Sequence, residues 1–152
     1  MIGTDRIVRI IPHRAPVLLL DEVTEVVPGE RLTARRLLSR NDRDLLCVAG
    51  PVRDGPVVPG TVVLESWAQA GALLACWDRP HPALAAAVVV LASRIDRVRF
   101  GGPVRLGSVL VHRVRMVRAA GDAAILEGET VVAGTTVLEV GKFVLARRPP
   151  PV

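Results

Sequence analysis

The chain of 152 residues contains no tyrosine, two phenylalanines, two tryptophans and a single lysine, Lys142. At 3% aromatics it offers no stacking platform for single-stranded nucleic acid. Its nineteen arginines are scattered, as at Arg35–Arg36, Arg94–Arg99 and Arg113–Arg118, and make no continuous block. No nucleic-acid partner is therefore expected. Cysteine is scarce too. Cys47 and Cys76 lie in apolar surroundings, and with the three histidines they show no ligand spacing, so no metal site is expected. Long apolar runs are missing: Ala83–Ala92 falls well short of the roughly 20 residues that cross a bilayer. The opening MIGTDRIVRII has no long apolar stretch followed by a small-residue cleavage site, so no signal peptide is expected. Reduced, buried thiols then agree with a cytoplasmic protein with no membrane partner.

What is present is hydrophobic. Half the residues are apolar and mean hydropathy is +0.39, which excludes general disorder. The length fits one domain, set here at residues 1–147 with a loose proline-rich tail at 148–152. The formal charge of +5 fits a small acidic protein partner.

Residues 61–77, TVVLESWAQAGALLACW, are predicted as a long helix beginning after Pro59-Gly60. It is apolar on nearly every side, which predicts a buried position. Thr61, Glu65 and Gln69 are spaced i, i+4, i+8 and share a face. A carboxylate in such a helix is expected to lose hydration, which favours proton exchange. The alternative is a Glu65 that faces solvent at a dimer edge or pairs with an arginine. The Gly60 amide at the helix start could receive a carbonyl oxygen.

Around this helix, Val17–Leu20, Glu22–Val27, Arg31–Ser39, Ser93–Phe100, Ser108–Val117, Ala123–Val132 and Thr135–Ala146 read as extended segments separated by Gly and Pro turns. Val48–Gly60 holds three prolines and three glycines in thirteen residues and reads as irregular loop. Alternation with Val111 predicts that His112 faces outward. One long helix among antiparallel strands makes an α+β architecture in which a sheet packs around a helix.

Three segments resemble the 3-hydroxyacyl-acyl carrier protein dehydratases of the hotdog superfamily. IIPHRAPVLLLDEV (10–23) is similar to that family's L-PHR-P-LL-D opening, GPVVPGTVVLESWAQ (55–69) to its PVMPG-helix-E-A-AQ segment, and IDRVRFGGPVRLGSVL (95–110) to its ID-ARF-PV-PGD stretch. The resemblance implies a hotdog fold, with a central helix wrapped by a curved antiparallel sheet. It also implies a dimer with sites at the subunit interface and a substrate carried on the phosphopantetheine arm of an acyl carrier protein, without a separate cofactor.

By the same resemblance Glu65 is the catalytic acid, Gly60 binds the thioester carbonyl, and Val58, Pro59 and Gln69 are candidates for the substrate tunnel. Arginines near Arg94–Arg99 are candidates for phosphate contacts. The family's catalytic histidine falls on Pro51, which has no titratable group. Asp54 lies in the same loop but is a short-reach substitute. His13 belongs to the PHR segment, where the family's histidine is structural, and His81 reads as a surface residue. The departure implies that a homodimer lacks the base. A partner hotdog subunit that keeps the histidine could complete a site with Glu65, in fatty acid or polyketide/polyene biosynthesis. The alternatives are a noncatalytic, acyl-binding hotdog subunit, or an acyl-thioester isomerase or thioesterase that uses Glu65 with water.

Overall fold

The computed structural model describes residues 1–42, 57–78 and 89–148. Cys47, Pro51, Asp54, His81 and the tail from 149 lie outside them.

The elements, in order, are β1 (Ile2–Gly3), α1 (Thr4–Ile10), β2 (Glu22–Val27), β3 (Arg31–Leu37), a 3-10 turn (Arg40–Asp42), β4 (Val57–Val58), α2 (Gly60–Ala75), β5 (Val89–Phe100), β6 (Val104–Arg105), β7 (Val109–Ala120), β8 (Ala123–Val132) and β9 (Thr135–Arg148). Seven strands pair antiparallel in the order β1-β2-β3-β7-β8-β9-β5, and β4 pairs with β6 separately. The helix α2 packs on β3, β7, β8 and β9, so the sheet curves around it. This is the hotdog arrangement that the resemblance implies.

Side chains from both layers fill the core. Trp67 on α2 is fully buried and meets the Phe143 ring edge-on, with centroids 5.6 Å apart. Its indole Nε1 donates to the Arg113 carbonyl at 3.2 Å. That approach needs Gly128 beside it, because a Cβ there would meet the Arg113 carbonyl oxygen at 2.0 Å. The outer face of the sheet carries a ladder of ion pairs: Arg31–Glu25, Arg113–Glu129, Arg115–Glu127 and Arg99–Glu139. Such exposed pairs are worth little individually. They do keep the sheet's arginines from forming one basic patch.

Two expectations fail here. His112 does not face outward: its relative exposure is 0%. Leu110, His112 and Val114 share one face of β7 and all three are buried, whereas Val111 lies on the other face. Inward direction therefore follows from Val114, two residues on. The segment 17–20 is not a strand either. Its backbone is held by side chains of α2, described next.

Candidate active site

The N-terminal half of α2 brings the sequence-marked residues together. Val58 is buried and pairs with Val104, and Pro59 stands at the helix N-cap. The first N–H groups of any α-helix lack an intrahelical acceptor, and here Gly60 presents them. The Phe100 ring lies directly against Gly60: a Cβ at that position would sit 2.8 Å from Cδ1 and Cε1. A cavity of about 320 Å³ opens at this point, lined by Val57, Val58, Gly60, Thr61, Phe100 and Val104, among others. The space beside the helix start is therefore largely apolar, with a polar helix end at its margin.

Glu65 follows roughly 7.5 Å along the helix axis from Gly60, at about 1.5 Å per residue. It does not lose its hydration in the single subunit, because its side chain is 54% exposed. The expectation of a buried carboxylate is corrected on this point. The half-buried Leu64 and Ala68 flank it, and no strand of its own sheet covers this face among the described residues.

Gln69 fixes the Glu65 carboxylate. Its Nε2 donates to Glu65 Oε1 at 2.9 Å, as the i, i+4 spacing permits, and to the Val17 carbonyl at 2.9 Å. Its Oε1 accepts the Leu19 N–H at 2.8 Å. Gln69 is buried. Its amide thus satisfies a chain segment that has no strand partner of its own, and it aims Glu65 with the remaining donor proton.

Behind this frame lies a buried polar chain that the sequence reading missed. Ser66 Oγ donates to the Leu19 carbonyl at 2.6 Å. His112 Nε2 lies 2.7 Å from the same Oγ, and Thr130 Oγ1 lies 2.9 Å from His112 Nδ1. Since the Ser66 proton goes to Leu19, Nε2 of His112 carries the ring proton and Nδ1 accepts from Thr130. Burial pushes the His112 pKa down to about 3, so the ring is neutral. With both nitrogens occupied in the core, His112 is a structural group. Ser66, one residue after Glu65, was the available signal.

The dehydratase-like opening segment is explained by the same contacts. Arg14 Nη1 donates to the Ile11 and His13 carbonyls. Asp21 accepts from the Leu37 N–H at 2.6 Å and pairs with Arg36 at 2.8 Å. His13, between these anchors, places Nε2 3.8 Å from Glu65 Oε1.

Of the arginines marked for phosphate contact, Arg94 pairs with Asp96 at 2.6 Å and Arg99 with Glu139 at 2.8 Å, while Arg97 Nη2 donates to the Gly141 carbonyl. Cys76 is buried, as expected. No group of three or more His, Cys, Asp or Glu residues that could hold a metal occurs among the described residues. No described helix is long and apolar enough to cross a membrane.

Comparison with known proteins places this frame. Residues 11–141 match the FabA-like domain. The chain is 33% identical over 147 residues to the 3-hydroxyacyl-[acyl-carrier-protein] dehydratase FabZ of Magnetococcus marinus, covering 97% of this chain and 93% of that protein. It is 35% identical over 133 residues to the FabZ of Sulfurimonas denitrificans, covering 86% and 87%. Among solved structures it resembles the dehydratase heterocomplex ApeI:P from Xenorhabdus doucetiae, with a TM-score of 0.73 and 22% identity over 95% of this chain and 91% of that one. Protein PH1136 from Pyrococcus horikoshii is similar at a TM-score of 0.65 and 20% identity, covering 96% and 94%.

Proposed function

The chain belongs to the FabA-like family of hotdog 3-hydroxyacyl-acyl carrier protein dehydratases, and from that premise we propose that it is the acid-donating subunit of such an enzyme. Dehydration breaks the α C–H bond and the β C–O bond. A base takes the α-proton, an acid protonates the departing hydroxyl, and a donor at the thioester carbonyl stabilises the charge that develops there. Glu65 is the acid in this reading, and the Gly60 amide is the carbonyl donor. The tunnel candidates divide by position. Val58 lines the apolar cavity beside Gly60 and Pro59 caps the helix start next to it, whereas Gln69 acts on the substrate only through Glu65.

The observation that carries the reading is Glu65 itself: an exposed carboxylate on an apolar helix, aimed by a buried amide whose other bonds hold the chain in place. Its open face supports a site completed by a second subunit. Because Pro51 stands at the family's histidine position, the base comes from a partner that retains that histidine. The ApeI:P dehydratase heterocomplex is a precedent for mixed pairing. The substrate arrives on an acyl carrier protein, as the names of the relatives imply for them, and no separate cofactor is required.

The test pairs this chain with a hotdog dehydratase subunit that has an intact histidine loop. The mixed complex dehydrates a 3-hydroxyacyl thioester and the chain alone does not. Failure of every such complex to do so would falsify the reading.

A further inference from the structure

The dehydratase reading leaves one titratable side chain at the site without a task. His13 stands beside Glu65, with Nε2 3.8 Å from Oε1. Its other ring nitrogen, Nδ1, is buried and has no hydrogen-bond partner. This asymmetry fixes the neutral ring. A proton on Nδ1 would be a buried donor facing no acceptor, whereas a proton on Nε2 points towards a carboxylate.

We propose that His13 is a positioning residue for Glu65: its Nε2–H receives the carboxylate that forms when Glu65 hands its proton to the leaving hydroxyl. In that step the Glu65 O–H bond breaks and an O–H bond to the β-oxygen forms. The C–O bond breaks to release water, and the α-proton goes to the partner's base. His13 itself gains and loses nothing. A movement of under 1 Å brings Nε2 from 3.8 Å into hydrogen-bond range, where an N–H meeting a new negative charge is strongest. The role in the step rests on the dehydratase reading; the pairing of the two side chains does not.

The surroundings favour this division of labour. Burial is the main cause that lowers the His13 pKa, the Arg14 charge lowers it further, and Glu65 opposes both. His13 is therefore a neutral donor near pH 7. Gln69 Nε2 donates to the same Oε1, so two nitrogens carried by different segments address one carboxylate oxygen.

The experiment follows the His13 ring by NMR through a pH titration of the full chain, in the wild type and in Glu65→Gln. Losing the neighbouring charge weakens proton binding by His13 roughly fivefold or more. An unmoved midpoint overturns the pairing. In a complex that dehydrates 3-hydroxyacyl thioesters, His13→Ala lowers kcat about tenfold with KM unchanged and moves the pH–rate profile to higher pH. His13→Gln, which keeps an N–H donor, restores part of the rate. A complex with His13→Ala that keeps the wild-type rate and profile overturns the role in the step. If no wild-type complex dehydrates while the NMR shift is present, the dehydratase reading fails and the pairing stands.

Discussion

Held between Ser66 and Thr130, the His112 ring has no contact with water, so a proton is taken up more readily by the unfolded chain. The unfolded imidazole titrates near 6.5 and the folded one near 3. Below 6.5 the unfolded state therefore binds more protons, and stability falls as pH drops through that window; above it the effect vanishes. Denaturant melts at pH 6.5 and 4.5 should show a loss of about 2–3 kcal/mol from this residue. His112→Gln should flatten that slope, and an equally steep slope in the variant would assign the acid sensitivity elsewhere. At this scale the sequence was partly misleading. Arg113 and Arg115 make β7 readable, yet alternation with Val111 points His112 outward, and the partners that bury it, Ser66 on α2 and Thr130 on β8, are distant in the chain. Glu65 and Gln69, by contrast, were legible as a pair because an i, i+4 contact is local.

The helix α2 was visible in the sequence because proline is absent from 60–75 and Pro59-Gly60 marks its start; the observed bounds, Gly60–Ala75, differ from 61–77 only at the ends. β2 and β8 coincide with their expected ranges, since turns at both ends define them. The short helix α1 was missed. Its pattern, with Ile7 and Ile10 buried, Asp5 in the first turn and Arg9 in the last, is present but spans only seven residues. Arg148 belongs to β9 rather than to a loose tail. The segment 17–20 reads as a strand because it is apolar, but its Val17 and Leu18 N–H groups turn back to the Arg14 carbonyl, and the Val17 carbonyl, Leu19 carbonyl and Leu19 N–H go to Gln69 and Ser66, 47 to 52 residues away. This is a tertiary arrangement that no local pattern encodes. Gln69→Leu should therefore strip partners from the Leu19 N–H and the Val17 carbonyl and destabilise the fold by about 2–4 kcal/mol. It should also free Glu65, so that dehydration falls more than stability alone explains. Chemical denaturation and turnover of the same variant separate the two effects.

For the whole molecule, the outer edge at β5 is the dominant feature. It is a twelve-residue strand with β9 on one side and, among the described residues, no strand on the other, and Leu91, Ile95 and Phe100 are exposed along it. A long unpaired edge with exposed apolar side chains among its arginines can receive another strand, and the family is typically dimeric. Ile95→Glu should shift the assembly towards a monomer near 16.3 kDa in sedimentation, whereas the wild type sediments as a dimer or larger. A wild-type monomer, alone and with hotdog partners, would remove the basis for a shared site. Binding of an acidic carrier protein should weaken as salt rises, in keeping with the +5 charge, and salt-independent binding would show that the arginines contribute only through their ion pairs with Asp96 and Glu139. The proposed function rests on Glu65, the acid that it assigns to this subunit. The most direct measurement is the rate of 3-hydroxyacyl thioester dehydration by a complex of this chain with a histidine-bearing hotdog subunit, compared with the same complex carrying Glu65→Gln. The expected result is a loss on the order of 10²–10⁴ with folding and pairing intact; an unchanged rate would contradict a catalytic Glu65 and leave this chain as a scaffold for its partner.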